Sequence, residues 1–148
     1  MRGFTLIELL IIIGIIGVLV LGGIPAFRTY QSRLELSGVV RSLVSDLRYS
    51  QQLAVTEQVE HSVYFVPDQK KYELRRYGEA TTTLKTVLLP EEILEISVTG
   101  LTVAGAYKEA RYNPYGAVKD SGVIVLRNTQ NTTTTIEVQP SGFIKISD

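Results

Sequence analysis

The sequence contains no cysteine and no tryptophan, and its 148 residues include a single histidine and a single methionine. Without cysteine the chain forms no disulfide and offers neither a thiolate nucleophile nor a thiolate metal ligand. Basic and acidic side chains balance at fifteen each, so the chain lacks the positive excess typical of general polyanion binders. Stability must therefore come from packing, and this length suits one compact domain.

Signatures of catalysis are also lacking. The only histidine, His61, lies in a predicted strand beside alternating apolar residues, a setting typical of a structural residue. The sequence has no G-x-S-x-G elbow, no glycine-rich phosphate loop before a helix, and no carboxylate cluster with calcium-loop spacing. We therefore expect a protein without enzymatic activity, cofactor or bound metal.

The N-terminal part is an apolar run over residues 4–27, in which Glu8 is the only charged side chain. A helix of roughly 20 such residues is long enough to cross the hydrocarbon core of a bilayer, so the run predicts a membrane-spanning helix. A carboxylate at the centre of a bilayer costs on the order of 2.5–3.5 kcal/mol on insertion scales. The run contains no counter-ion for Glu8, so we expect its partner to be a free amine, a neighbouring chain or the lipid interface.

Beyond residue 27 the helical pattern continues with one apolar side, which predicts a single helix from Phe4 to about Thr56, roughly 75–80 Å long. The apolar stripe recurs at spacings of three and four: Leu36, Val39, Val40, Leu43, Val44, Leu47, Leu53 and Ala54. Several glycines and Pro25 weaken the first half, so we expect the helix to be softest at residues 21–25, although such residues are also common in spanning helices.

From residue 60 onward the period changes to two, which predicts strands. Segments 61–66 and 72–77 flank a Pro67-Asp68 turn and predict a hairpin. Further strands are predicted at residues 84–89, 93–98, 110–112, 123–126, 135–138 and 143–146. The threonine runs 81–83 and 132–135 are interpreted as loops or solvated edges. One long helix followed by strands predicts an α+β fold whose helix packs on a mostly antiparallel sheet.

The segment Gly3-Phe4-Thr5-Leu6-Ile7-Glu8, followed by an apolar helix that contains Pro25, resembles the class III signal of type IV pilins and pseudopilins. The resemblance implies that a prepilin peptidase cleaves after Gly3 and methylates the new amino group of Phe4. It also implies that Glu8 pairs with the Phe4 amine of an adjacent subunit, and that the helix kinks or melts at Pro25. The three-residue leader is short for this family.

The same resemblance implies four parts: a leader (1–3), a transmembrane and filament-core segment (4–27), the amphipathic half of the same helix (28–57) and a β head (58–148). The protein would cross the bacterial inner membrane once, with its head in the periplasm or outside the cell, and would later enter a filament. Its partners would be the prepilin peptidase, other pilin or pseudopilin subunits, the inner-membrane assembly platform and membrane lipid.

A second similarity covers the head. Residues 46–54, the Asn113-Pro114-Tyr115-Gly116 turn and the terminal Gly142-Phe143-Ile144-Lys145 resemble the group of GspH pseudopilins and FimT minor pilins, although that group usually has a small residue and an arginine where Ser50-Gln51 stand. The implied function is that of a minor pilin or pseudopilin of a type II secretion system or type IV pilus. The alternatives are a FimT-like subunit acting in DNA uptake, a major type IV pilin, and a membrane-anchored β domain that never polymerises.

DNA binding depends largely on cations that contact phosphates. The densest basic patch is Lys70, Lys71, Arg75 and Arg76, the candidate nucleic-acid contacts. Strand alternation places Arg75 and Arg76 on opposite faces, and the C-terminal segment carries only one cation. We therefore do not expect DNA to be a partner.

Overall fold

The computed structural model describes residues 5–147, with only the backbone described for residues 21–26, 28 and 29. Its first element is helix α1, Leu6–Glu57, which has 52 residues and is therefore about 78 Å long. Thr5 caps its N-terminus, and Gln58 ends it in the left-handed region at φ 56°. The predicted single long helix is thus confirmed. Helix α1 is continuous through Pro25, where the resemblance implied that the helix kinks or melts, and a proline removes only one backbone hydrogen bond.

Within the described residues, nine strands follow α1. They are β1 His61–Val66, β2 Lys71–Tyr77, β3 Thr81–Leu88, β4 Ile93–Thr99, β5 Thr102–Ala104, β6 Tyr107–Tyr112, β7 Gly122–Asn128, β8 Thr133–Val138 and β9 Ile144–Ser147. A short 3₁₀ turn, Pro67–Gln69, joins β1 to β2. The strands form two antiparallel sheets, ordered β3-β2-β1-β6-β5 and β4-β7-β8-β9. The α+β class with antiparallel pairing is confirmed, but the strands form two sheets where the sequence predicted one.

The predicted β1–β2 hairpin is confirmed, with Val63 opposite Leu74. The loop interpretation of the threonine runs was wrong, because Thr81 begins β3 and Thr133 begins β8. Threonine is β-branched and favours an extended backbone, so these polar segments form strands although polar runs are common in loops. The first run is nevertheless exposed on an edge strand, as expected. Strand β5 was not predicted, because three residues are too few to show a period.

The core lies between the second half of α1 and the two sheets. The apolar stripe of α1 is buried at Leu36, Val40, Leu43, Val44, Leu47 and Ala54. It packs against β1 and β6 of one sheet and against β7 and β8 of the other. Side chains with no exposed surface, such as Phe65 and Ile124, complete this core. The head is thereby fixed to the second half of α1, and the first half extends away from it.

Candidate assembly site

The first half of α1 is an apolar surface that nothing in the described chain covers. The apolar side chains of residues 6–20 are exposed, with values such as 80% for Leu6 and 72% for Val18, whereas Ser32 is the first buried residue of α1 among those whose side chains are described. Monomeric soluble proteins rarely expose continuous apolar patches larger than a few hundred Å², and larger ones mark interaction sites. In the part of the chain that the structure describes, no helix has the length and hydropathy required to cross a membrane.

Glu8 is the only charged side chain on this surface, and it forms a capping box with Thr5. The Thr5 backbone N–H donates to Glu8 Oε2 at 3.0 Å, the Thr5 hydroxyl donates to the same oxygen at 3.0 Å, and the Glu8 N–H donates to Thr5 Oγ1 at 3.3 Å. Such a box satisfies backbone donors that the first turn leaves free. The Thr5 donors carry no charge, so the counter-ion expected for Glu8 stays a prediction.

The remaining predicted assembly residues are less fully described. Gly3 and Phe4, the predicted cleavage and methylation positions, lie outside the described residues. Pro25 lies within α1, and only its backbone is described. The structure therefore places Glu8 and leaves its pairing with Phe4 a prediction.

The basic patch on the first hairpin is largely neutralised. Glu73 contacts both Lys71 at 2.9 Å and Arg75 at 2.7 Å, and the guanidinium of Arg75 lies over the ring of Tyr64. These two cations hold the pKa of Glu73 below its usual value, with the Lys71 hydrogen bond the larger cause. On the opposite face Arg76 pairs with Glu57 of α1 at 2.7 Å.

Lys70 is the one candidate nucleic-acid contact without an ion pair among the described residues. The other three cations of that patch have carboxylate partners. The patch therefore offers little free positive charge to a phosphate backbone.

Gln51 of α1 joins the motifs that resembled the GspH and FimT group. Its amide donates to the carbonyl of Gly116 at 2.7 Å, and Gly116 ends the tight turn that begins at Asn113. Gly142 has φ +80°, and a Cβ there would collide with the Gln51 amide and the Gly116 carbonyl. Two turns that are distant in sequence therefore meet at the side chain of Gln51, and only a glycine at position 142 leaves room for that side chain.

Asp46 connects α1 to the larger sheet. Its carboxylate accepts from the Tyr72 hydroxyl at 2.8 Å and from Lys85 Nζ at 2.8 and 2.9 Å. Burial, and then the hydrogen bond to Asp46, raise the pKa of Tyr72 far above its usual value. The Tyr72 hydroxyl therefore remains a neutral donor at physiological pH.

A second buried carboxylate, Glu109 on β6, has no exposed surface. It accepts from the hydroxyls of Ser62 at 2.7 Å and Tyr77 at 2.6 Å, and from Arg111 Nε at 2.6 Å. Arg111 also lies over the Tyr77 ring and within 3.6 Å of Glu60. Sequence reasoning missed this cluster, although the polar alternation Tyr107, Glu109, Arg111 on one strand is a weak signal of it.

His61 is buried, with Nδ1 2.9 Å from the carbonyl of Val59 and Nε2 3.4 Å from Glu57 Oε2. It lies at the start of β1, where the helix and the larger sheet meet. Across residues 5–147, no group of three or more His, Cys, Asp or Glu side chains is arranged to hold a metal ion. The described polar clusters therefore join elements of the head to one another.

No protein-family model matches the chain. The chain is 46% identical over 43 residues to prepilin peptidase-dependent protein D of Escherichia coli (strain K12), a match to 29% of this chain and 30% of that protein. It is 36% identical over 73 residues to a fimbrial protein of Pseudomonas aeruginosa, a match to 49% of this chain and 47% of that protein. The chain thus spans about half, or less, of the length of these curated relatives.

Solved structures share the fold over most of the chain. The minor pseudopilin EpsH of the Vibrio cholerae type 2 secretion system has a TM-score of 0.64 at 10% identity, covering 76% of this chain and 96% of that one. The type IV minor pilin FimU of Pseudomonas aeruginosa has a TM-score of 0.64 at 12% identity, covering 80% and 92%. The resemblance indicated by the sequence is confirmed, and the chain has the fold of minor pilins and minor pseudopilins together with partial sequence similarity to fimbrial proteins.

Proposed function

We propose that this protein is a non-enzymatic filament subunit, a minor pilin or pseudopilin, that assembles through the first half of α1. The observation that carries the proposal is the uncovered apolar surface of residues 6–20 on a helix whose other half anchors a folded head. Such a surface needs either lipid or other helices around it. A filament core supplies the helices, and the membrane supplies the lipid before assembly.

Processing and location follow from the N-terminal residues. The Gly3-Phe4-Thr5 junction supports cleavage after Gly3 and methylation of Phe4, and the printed name of the Escherichia coli relative supports dependence on a prepilin peptidase. The apolar run 4–27 supports a single pass through the inner membrane, with the amphipathic residues 28–57 and the head 58–148 in the periplasm or outside. The assembly platform of the inner membrane would then extract the subunit.

Glu8 has two kinds of partner in this scheme. In the monomer its carboxylate accepts from the Thr5 backbone and hydroxyl groups. In a filament core, where water is excluded, an unpaired carboxylate is costly, and the Phe4 amine of a neighbouring subunit would neutralise it. The capping box occupies Oε2 alone, which leaves Oε1 for the Phe4 amine of a neighbouring subunit. That ion pair would set the axial register.

The test compares the unsubstituted protein with Glu8→Leu and Glu8→Gln in cells that contain the peptidase. Intact mass should show loss of Met1-Arg2-Gly3 and one added methyl group for all three proteins. The amount of protein in sheared filaments should fall strongly for both variants, because neither supplies the negative charge. A mature protein that still begins at Met1, or variants recovered in filaments at unsubstituted levels, would contradict the proposal.

Type II secretion and type IV pili both use subunits of this fold, as the EpsH and FimU structures illustrate. We propose a minor role in either machine, since the chain lacks the cysteines that close a loop in many major pilins. Mass spectrometry of sheared filaments from each machine measures the copy number directly. Trace amounts in one machine identify it, whereas abundance equal to the main subunit would indicate a major pilin.

A further inference from the structure

The side chain of His61 lies where the C-terminal end of α1 meets strand β1. Its ring is only 1% exposed. Nδ1 lies 2.9 Å from the carbonyl oxygen of Val59, and Nε2 lies 3.4 Å from Oε2 of Glu57, the last residue of α1. Both ring nitrogens therefore face oxygen atoms that accept hydrogen bonds.

The two contacts of His61 differ in what they require of the ring. A neutral imidazole has one N–H donor and one bare nitrogen, whereas an imidazolium has two donors. The Val59 carbonyl is only an acceptor, so the hydrogen of a neutral ring belongs on Nδ1. Nε2 is then buried without a hydrogen-bond partner among the described residues, and it faces the Glu57 carboxylate. A proton on Nε2 would convert this contact into a charge-assisted hydrogen bond.

Charged and titratable groups surround the ring on every element that packs against it. Glu57 is the neighbour on α1, whose last turn has no basic residue to balance the partial negative charge of the helix end. Arg76 lies opposite His61 on β2 and binds Glu57 at 2.7 Å. Tyr112 lies opposite on β6, and burial raises the pKa of its hydroxyl, which therefore stays neutral. Glu60, in the segment before β1, has a cationic partner of its own on β6.

The groups that favour a positive charge on His61 are Glu57 and the end of the α1 dipole. Burial and the guanidinium of Arg76 oppose that charge. Arg76 has a 41% exposed side chain, so solvent weakens its repulsion, whereas the His61 ring lies buried against the helix end. The environment therefore accommodates an imidazolium ring.

We propose that His61 forms a pH-sensitive contact between α1 and β1. When the ring is protonated, Nδ1–H binds the Val59 carbonyl and Nε2–H binds Glu57, so one side chain connects the last turn of α1 to the larger sheet. When the ring is neutral, the second bond is lost and a buried nitrogen is left without a partner, which costs stability. The head is thus held on α1 more firmly in mildly acidic solution than in mildly alkaline solution.

The sign of the pH dependence follows from where the second bond exists. The bond to Glu57 forms only in the folded chain, so folding takes up a proton and stability falls as the pH rises through the histidine range. His61 is the only histidine of the chain, and unperturbed carboxylates, tyrosines and lysines titrate outside about pH 5.5 to 7.5. A change of stability inside this window that depends on His61 therefore reports on this one ring.

The first experiment observes the ring nitrogens by NMR. Two-dimensional ¹H–¹⁵N spectra of the full chain in detergent micelles are recorded from about pH 5 to about pH 9, and the single histidine makes the assignment unambiguous. We expect both nitrogens to carry hydrogen at the acidic end and Nδ1 alone to carry it at the alkaline end. A neutral ring with its hydrogen on Nε2 would overturn the proposal, because Nδ1 could then not donate to Val59.

The second experiment measures thermal unfolding of the full chain in the same micelles through the near-UV signal of the tyrosines. The unsubstituted chain should melt about 3 °C higher at about pH 5.5 than at about pH 7.5, as expected for a fivefold change in the folding equilibrium. His61→Gln should abolish this difference and Glu57→Ala should at least halve it. Glu95→Ala is the matched control, because Glu95 pairs with Arg127 on the exposed surface, and it should retain the full difference.

Each chain is compared with itself at the two pH values, so a general loss of stability in a variant does not obscure the result. Equal melting temperatures of the unsubstituted chain, a higher one at the alkaline pH, or a difference that persists in His61→Gln would overturn the proposal. These measurements concern the head and not its assembly. Failure of the contact therefore leaves the proposed function standing, and failure of the proposed function leaves the contact standing.

Discussion

Glu109→Ala should be strongly destabilising to the head. The substitution removes a fully buried carboxylate that accepts from Ser62, Tyr77 and Arg111. Ser62 has no exposed surface, so its hydroxyl would lose its partner without gaining water. Arg111 would remain as a cation in a polar cluster that lacks its main counter-charge.

The magnitude follows from these two losses. Removing one partner of a buried ion pair costs about 3–5 kcal/mol, and the lower end applies here because the Arg111 side chain retains 20% exposure and Glu60 lies within 3.6 Å. An unsatisfied buried hydroxyl adds about 1 kcal/mol. We therefore expect a loss of about 4 kcal/mol, a large part of the 5–15 kcal/mol typical of a domain. The urea midpoint should fall by about 2 M for an m-value near 2 kcal/mol/M.

The assay is urea unfolding of residues 28–148, which contain all buried core residues, followed by the near-UV signal of the tyrosines. Glu95→Ala is the matched control, because Glu95 pairs with Arg127 on the exposed surface and its loss should cost under about 1 kcal/mol. A Glu109→Ala loss below about 1 kcal/mol, equal to that of the control, would refute the reasoning. It would mean that Arg111 reaches solvent freely once the carboxylate is gone.

Three further substitutions test other contacts by the same unfolding measurement. Gly142→Ala should cost about 2–3 kcal/mol, because it adds both a left-handed backbone penalty and a collision with Gln51, whereas Gly105→Ala, with positive φ but open space, should cost only about 1 kcal/mol. Tyr72→Phe should cost about 1.5 kcal/mol through the lost hydrogen bond to a buried carboxylate, and an unchanged midpoint would contradict that role. Glu73→Gln should lower stability by about 1 kcal/mol at pH 7 and flatten the fall of stability as the pH drops below about 4.5. A carboxylate with a lowered pKa stabilises the fold above its unfolded pKa and loses that contribution as the pH falls through the folded value. Identical pH profiles would exclude the ion pair as a contributor.

Local patterns were sufficient for the helix and most strands. The stripe from Leu36 to Ala54 repeats at spacings that only an α-helix places on one side, and the structure buries that stripe. The β1–β2 hairpin was equally predictable, because a proline turn separates two alternating segments. The second threonine run was misjudged, since Thr133 begins an inner strand, and pairing with a neighbouring strand decides whether a β-branched polar segment is extended.

The candidate assembly site was likewise predicted from the sequence only in part. The apolar residues 6–20 and the isolated Glu8 predict an uncovered apolar surface without any coordinates, because a helix that is apolar on all sides needs a large protein core or lipid around it. The capping box with Thr5 also has a sequence signature, a threonine followed three residues later by a glutamate. Thr5 was not predicted as a partner of Glu8, because Thr5 carries no charge and the carboxylate was expected to need a counter-ion.

The sequence by itself determined the long helix, its apolar and amphipathic halves, the α+β class and the pilin resemblance, because each depends on spacing along the chain. Only the tertiary structure decided the division into two sheets, the meeting of Gly116 and Gly142 at Gln51, the buried Glu109 cluster, and the ion pairs of Arg75 and Arg76. These features depend on contacts between residues far apart in sequence. The local sequence around a carboxylate does not indicate which distant cation it pairs with, and only the folded chain brings the two within hydrogen-bonding distance.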